Sequence, residues 1–301
     1  MRALLTGATG YVGLYLAKKL AAEGWQVHGL VRQESETNRL LTMVPEIHLH
    51  NYDGSTETVC SALDSAQPDV LFHLASKTVA SEHSVADVEP LLASNLLFGT
   101  QLLQAVSQHP SCLFINTGTF SQFDADGAAN PNSLYGASKG AFQDIITYFS
   151  RYFGFSAVTL VLFDIYGPGD WRSKLLPALV EHIGREHKFP MTPGEQLIFP
   201  LHIDDVVAGY LQVVEMLKAG DIAPADHHMF SLDPGERITL RDLVKRLETL
   251  ADTPLNTDWG AMAYRKNQIF NPVCPVDILP GWSPGVLLNS GLGQLLKEFK
   301  K

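Results

Sequence analysis

Residues 2 to 13 constrain the fold more than any other part of the chain. An apolar run, Arg2 to Leu5, meets Thr6-Gly7-Ala8-Thr9-Gly10-Tyr11-Val12-Gly13, and an amphipathic stretch from Tyr11 to Glu23 follows. This is the order strand, glycine turn, helix. Three glycines so placed let the turn tighten, let backbone approach a pyrophosphate and let the helix pack on the strand. The anion then sits at the helix N-terminus. Gly7, Thr9, Gly10, Tyr11 and Val12 are therefore expected to bind a dinucleotide.

The following segments repeat the alternation of strand and helix. Gln26 to Val31 reads as a second strand, and it ends in Arg32 rather than in an acidic residue that would bond a ribose 2′-hydroxyl. An arginine there suits a 2′-phosphate; Glu34 and Glu36 stand close enough in sequence to pair with it instead. The preferred cofactor is NADP(H) over NAD(H). Ile47 to His50 predicts a third strand, leading into Asn51-Tyr52-Asp53-Gly54. Asp53 either reads an adenine edge or caps the helix that starts near Thr56. Val70 to Ala75 is a near-continuous apolar run, as expected of a parallel strand covered on both faces. His73 within it reads as a core histidine, while Leu74 and the small Ala75 and Ser76 leave room for the cofactor. A long helix over residues 89 to 108 carries Asn95, which either bridges backbone and water or is simply polar. Cys112 to Asn116 then delivers Thr117-Gly118-Thr119 at a strand's carboxyl end, where open α/β sheets place their ligands. The fold class is α/β: a Rossmann-type, doubly wound parallel sheet with a smaller, discontinuous C-terminal substrate domain.

Tyr135 and Lys139 lie one helical turn apart on a single face. An adjacent cation favours a phenolate and lowers the phenol's pKa from about 10. Tyr135 is thus expected to move a proton, Lys139 to tune it, and a hydroxyl from Thr119 or Thr117 to bond the reacting oxygen.

Composition narrows the partners. Lys and Arg number 22 against 32 Asp and Glu, a net charge of −10, which argues against a nucleic-acid footprint or an anionic membrane surface. No apolar run reaches spanning length, so a cytoplasmic location is expected. Cys60, Cys112 and Cys274 lack metal-ligand spacing and read as reduced thiols, and no metal site is expected. The adjacent His227 and His228 have no partner at ligand spacing either.

Together these landmarks resemble the extended short-chain dehydrogenase/reductases, in particular the NAD(P)-dependent nucleotide-sugar epimerases, dehydratases and 4-ketoreductases. The resemblance runs through Thr6-Gly7-x-x-Gly10-x-x-Gly13, His73-Leu74-Ala75, Asn95 with Gly99-Thr100, Thr117-Gly118-Thr119 and Tyr135-x-x-x-Lys139. It continues in Tyr166-Gly167-Pro168 and His202-Ile203-Asp204-Asp205-Val206. It implies Tyr135 as acid/base, Lys139 lowering its pKa and holding the nicotinamide ribose, and Thr119 orienting the reacting oxygen, with Thr117 lining the cofactor. It also implies a nucleotide-diphosphate sugar as substrate and a homodimer built on the helices near 89 to 108 and 136 to 152.

A loop signal at Tyr166-Gly167-Pro168-Gly169-Asp170 divides the chain. Residues 1–166 would bind the dinucleotide, 167–301 mainly the substrate, with 200–232 returning to the first part. Ser173 to Arg185 reads as a helix and Pro193-Gly194-Glu195-Gln196 as a hairpin-like turn. Trp259 to Arg265 and Leu279 to Pro284 look like the closing segments of nucleotide-sugar 4-ketoreductases and dehydratases, in which an arginine, here Arg265, holds the diphosphate.

Three departures from the family pattern bear on the reaction. Asp164 stands where many relatives have asparagine, making a neutral substrate contact anionic or protonated. Leu197-Ile198-Phe199 stands where relatives carry a phosphate-binding arginine, which throws weight on Arg265, Arg172 and Lys174. Phe120-Ser121 follows Thr119 where 4,6-dehydratases have Asp-Glu, which excludes dehydration. The resulting expectation is an NADPH-dependent 4-ketoreductase of the CDP-abequose and CDP-paratose synthase type. An NAD-dependent 4-epimerase and a non-catalytic NADP-binding regulatory protein are the alternatives.

Overall fold

The computed structural model describes residues 1–79 and 83–299. Its first half alternates as the apolar runs require: β1 (Arg2–Thr6), α1 (Tyr11–Ala22), β2 (Gln26–Arg32), α2 (Asn38–Met43), β3 (His48–Tyr52), α3 (Thr56–Ala66) and β4 (Val70–His73). Next come α4 (Val85–Leu92), a π-helical segment (Ala93–Leu97), α5 (Phe98–Val106), β5 (Leu113–Thr119), α6 (Leu134–Phe153) and β6 (Ala157–Leu162). β7 (Asp164–Tyr166), α7 (Leu175–His182), β8 (Phe189–Met191), β9 (Leu197–Ile198), β10 (Pro200–His202) and α8 (Ile203–Ala219) follow. The chain then forms β11 (His227–Ser231), β12 (Ile238–Thr239), α9 (Leu240–Ala251), β13 (Thr257–Trp259) and α10 (Leu288–Phe299).

Seven strands form one parallel sheet in the order β11-β6-β5-β4-β1-β2-β3. Successive side chains leave a strand on opposite faces, and the sequence supplies an apolar residue for each face. Ala3 and Leu5 of β1, Val70 and Phe72 of β4, and Leu113 and Ile115 of β5 pack toward α1 and α8. Leu4, Leu71 and Phe114 pack toward α3, α5 and α6. A third core, around Leu179, Leu243, Leu247, Leu292 and Leu295, holds α7, α9 and α10 together.

Two boundaries differ from expectation for local reasons. The long helix over 89 to 108 begins earlier, at Val85, where Ser84 and Asp87 form a capping box. Its register changes at the π segment, which turns Asn95 inward, 1 % exposed. The Pro193 to Gln196 segment does turn, with Gly194 at φ +85°, but it closes no hairpin. β8 pairs in parallel with β13, and β9 pairs antiparallel with β12.

Candidate active site

The carboxyl ends of β1, β2, β3 and β4 surround a cleft of about 680 Å³. Of the expected cofactor residues, Gly7, Thr9, Gly10, Arg32, Gly54, Leu74, Ala75 and Ser76 line it. Sequence reasoning passed over Ser35, Tyr52, Lys77, Pro90 and Ser94, which line it too; they come from the loops after β2 and β4, from β3, from α4 and from the π segment. The floor is tight. Gly7 has φ +68°, and a Cβ on it would stand 2.7 Å from the Ala75 nitrogen; one on Gly13 would collide with the Gly7 carbonyl oxygen. Gly10 N–H donates to that same oxygen at 2.9 Å. No side chain caps α1 and no carboxylate occupies its first turn, so its leading N–H groups are left for an anion. These features fit a dinucleotide.

Other expected cofactor residues have different placements. Asp53 forms neither expected arrangement directly: the cap of α3 is Ser55, whose hydroxyl accepts from Thr58 N–H at 3.2 Å, and Asp53 braces that cap, its Oδ1 accepting from Ser55 N–H and from the Thr58 hydroxyl, both at 2.9 Å. The neighbouring Gly54 is fixed by Gln101, whose Nε2 donates to its carbonyl oxygen at 2.9 Å. Tyr11 is buried on α1 with its hydroxyl donating to Pro168 O at 2.8 Å, and Val12 lies on the same first turn without lining the cleft. Arg32 is 69 % exposed and pairs with Glu34 at 3.3 Å while its stem walls the cleft. Thr117 is spoken for: it donates to His73 O at 2.9 Å, so the Tyr210 hydroxyl, 2.7 Å away, must donate to it.

Thr119 is the β5 threonine that faces Tyr135. Burial pushes the Tyr135 phenol above its ordinary pKa, and the hydroxyls of Thr119 and Ser76 beside it pull the other way. Lys139 is not among the groups acting on that phenol, which corrects the expectation of a lysine-depressed tyrosine. Burial instead depresses Lys139 itself, to about 8. It is 2 % exposed, and no carboxylate pairs with it among the described residues. His73 is a core histidine, 1 % exposed and bonded through Nδ1 to the Thr6 hydroxyl at 2.8 Å. Burial and the nearby Lys139 charge lower its pKa to about 3, so it is neutral.

Asn95 joins these parts. Its Oδ1 accepts from Lys77 N–H at 2.8 Å and from the Ser76 hydroxyl at 3.2 Å. Its Nδ2 donates to Lys77 O and to Ser138 Oγ, both at 3.0 Å. One side chain thus fixes the end of β4 against the helix that carries Tyr135.

Beyond Thr119 the expected substrate residues gather. Asp164 accepts from Phe199 N–H at 3.0 Å; burial raises its carboxyl to about 6 against the pull of that N–H and of Lys174. Lys174 is held below the ordinary lysine value by partial withdrawal from water and by Arg172, with Asp164 and Asp170 opposing and Arg265 adding to the lowering. Arg172 requires a correction. Its Nε and Nη2 form a bidentate pair with buried Asp170, both at 2.7 Å, Nη2 also donates to Ile165 O at 3.0 Å, and its plane lies over the Tyr11 ring. This guanidinium clips a loop to α1. Where dehydratases place their acid pair, Phe120 stacks on Phe163 at 5.2 Å and on Phe199 at 5.9 Å.

Three further groups have settled roles. His227 bonds Thr147 through Nδ1 and Thr159 through Nε2, tying β11 to α6 and β6. Among the described residues no cluster of His, Cys, Asp or Glu is suited to a metal, and no helix is long and apolar enough to cross a membrane. The three cysteines are free thiols.

Comparison with known proteins agrees with this geometry. The chain is 25 % identical to a CDP-abequose synthase of Salmonella typhimurium over 98 % of this chain and 97 % of that one. It is 24 % identical to a UDP-glucose 4-epimerase of Corynebacterium glutamicum over 85 % and 82 %. Among solved structures, the UDP-glucose 4-epimerase of Thermotoga maritima with UDP-glucose superposes with a TM-score of 0.83 at 22 % identity, covering 100 % of this chain and 99 % of that one. The UDP-glucuronic acid 4-epimerase of Bacillus cereus with UDP-glucuronic acid and NAD gives 0.82 at 20 %, with the same coverage. The family model described as "NAD dependent epimerase/dehydratase family" matches residues 3–225. With a glycine turn fit for a dinucleotide, a buried Lys139 one helical turn from Tyr135 and this match, the chain belongs to the NAD-dependent epimerase/dehydratase family, the extended short-chain dehydrogenase/reductase enzymes that act on nucleotide sugars with a nicotinamide cofactor.

Proposed function

We propose that this enzyme is an NADPH-dependent reductase of the 4-keto group of a nucleotide-diphosphate 4-keto-6-deoxyhexose. The observation that carries it is Tyr135, a phenol held protonated by burial beside Ser76, which lines the same cleft as Arg32. When bound, the reduced nicotinamide supplies the hydride. Tyr135 gives its proton to the carbonyl oxygen, and Thr119 orients that oxygen. Lys139, with no competing carboxylate, holds the nicotinamide ribose, Arg32 takes the 2′-phosphate, and the turn at Gly7, Thr9 and Gly10 takes the pyrophosphate. Lys174 and Arg265 receive the substrate diphosphate, and Asp164 faces the sugar. The Phe120 stack offers no acid and base for dehydration. The likeness to CDP-abequose synthase over nearly the whole chain supports a CDP-linked substrate.

Residues 1–166 with 200–232 form the cofactor part in this proposal, and the remainder of 167–301 the substrate part. A homodimer would bury the exposed aromatic ladder of α6, where Tyr148 is 56 % and Tyr152 72 % exposed and the two rings stack.

The direct test is oxidation of NADPH in the presence of CDP- and other nucleotide-linked 4-keto-6-deoxyhexoses. Tyr135→Phe should lower the rate about 100- to 10,000-fold with NADPH binding retained. The Arg32–Glu34 pair favours one second reading, a 4-epimerase that keeps NAD. Protein that retains NAD through dialysis and epimerises a nucleotide hexose with no added cofactor would replace the first reading with that one.

A further inference from the structure

The hydrogen-bond donors around Tyr135 can be counted. Asn95 cannot be flipped, because its Nδ2 donates to Lys77 O while its Oδ1 accepts from Lys77 N–H. Its Oδ1 is an acceptor only. The single Ser76 hydrogen, 3.2 Å from that Oδ1, is therefore given to Asn95, and toward Tyr135 the Ser76 oxygen can only accept. That arrangement suits a protonated phenol and not a phenolate. Asn95 loses little if Ser76 turns away, since Oδ1 keeps Lys77 N–H at 2.8 Å and Nδ2 keeps both acceptors. Thr119, the other hydroxyl beside the phenol, has its hydrogen on Ser121 Oγ and its oxygen on Ser121 N–H, both at 3.3 Å. Ser76 also lines the cleft, and with Thr119 it is one of the two hydroxyls that reach the Tyr135 phenol.

We propose that Ser76 is the switchable positioning residue of Tyr135. Its hydroxyl hydrogen points to Asn95 while the phenol holds its proton and turns to the phenolate oxygen once the proton has left. This rests on the acid role given to Tyr135 above. In the reduction, the substrate carbon takes the hydride as the Tyr135 O–H bond breaks and its proton passes to the substrate oxygen. Ser76 changes only its hydrogen bond, and solvent later returns a proton to Tyr135. The other titratable groups nearby are Lys139 on the same helix, neutral His73 on β4, and Tyr210 on α8, whose phenol is sensitive to charge on Tyr135.

The test needs no substrate. Ultraviolet tyrosinate absorbance is titrated for the wild type and Tyr135→Phe, and their difference isolates one phenol. The same difference is taken in a Ser76→Ala background and in a Ser76→Thr background. A charge-assisted bond to the phenolate outweighs the neutral bond it replaces, so Ser76→Ala should raise the Tyr135 titration by about one pH unit, and Ser76→Thr should restore it. A midpoint that does not move, or moves down, in Ser76→Ala overturns the proposal. Wild-type protein that reduces no 4-keto sugar yet shows the upward shift would remove the reductase reading alone. Turnover with an unmoved midpoint would remove this one alone.

Discussion

Asp164 is the residue whose charge state the fold itself disputes. Its carboxyl sits with one oxygen on Phe199 N–H, and burial raises it from 3.8 to about 6. A raised acid binds its proton more tightly folded than unfolded, so its stabilising contribution is full below about pH 4 and is lost as pH rises through about 6. Asp164→Asn keeps an acceptor for that N–H and cannot ionise. The variant should match wild type below pH 4 and exceed it by about 1–2 kcal/mol above pH 6, after allowance for partial exposure; denaturant melts across that range check it. The sequence already marked position 164 as unusual, and its spacing put Tyr135 and Lys139 one turn apart on α6. It could not reveal that burial governs both groups, because burial comes from β4, β5 and α8, which are remote in the chain. Ser76 was legible only as a small residue near the cofactor; its approach to Tyr135 depends on the clamp made by Asn95. Arg172 illustrates the reverse error, since a cation in a phosphate-binding family is easily assigned to phosphate when its carboxylate stands two positions away, at Asp170.

At the level of elements, the strands and helices of the first half followed from apolar runs, and a parallel sheet followed from their alternation. What periodicity could not show is the π segment, a shift of register inside a continuous helix. It turns Asn95 inward, and one turn later α5 crosses α6 at Gly99, where an added Cβ would enter the Phe142 ring. Phe142 is fully buried and flanks His73, so it has no room to yield. Gly99→Ala should therefore cost about 1–3 kcal/mol, seen as an earlier chemical unfolding midpoint, and should reduce turnover by displacing the helix that carries Tyr135. The His202 to Val206 motif proves architectural. His202 Nδ1 accepts from Asp204 N–H, while Asp205 accepts from Gly285 and Val286 N–H and its carbonyl oxygen accepts from Trp282 Nε1. It fastens the C-terminal segment to α8, which explains why two stretches far apart in sequence both carry the family resemblance.

Across the whole molecule, a cofactor that binds only the folded chain adds stability in proportion to the logarithm of its concentration. NADPH at a hundredfold excess over its dissociation constant should add about 2.7 kcal/mol, measurable as a rise in melting temperature. Arg32→Ala should reduce that rise for NADPH and leave the response to NADH unchanged; equal responses in wild type would favour NAD. The sheet and its two flanking cores could be anticipated from the chain. The nearness of Asp164, Lys174 and Arg265 could be expected only through the family resemblance, because it depends on how the third core stacks beside the sheet. The loop at Pro168 to Arg172 shows what that stacking entails. Tyr11 and Tyr15 of α1 both donate to Pro168 O, and Arg172 lies over Tyr11 while gripping Asp170. Moved onto a first helix without these two hydroxyls, the loop would lose both of the bonds that Pro168 O accepts.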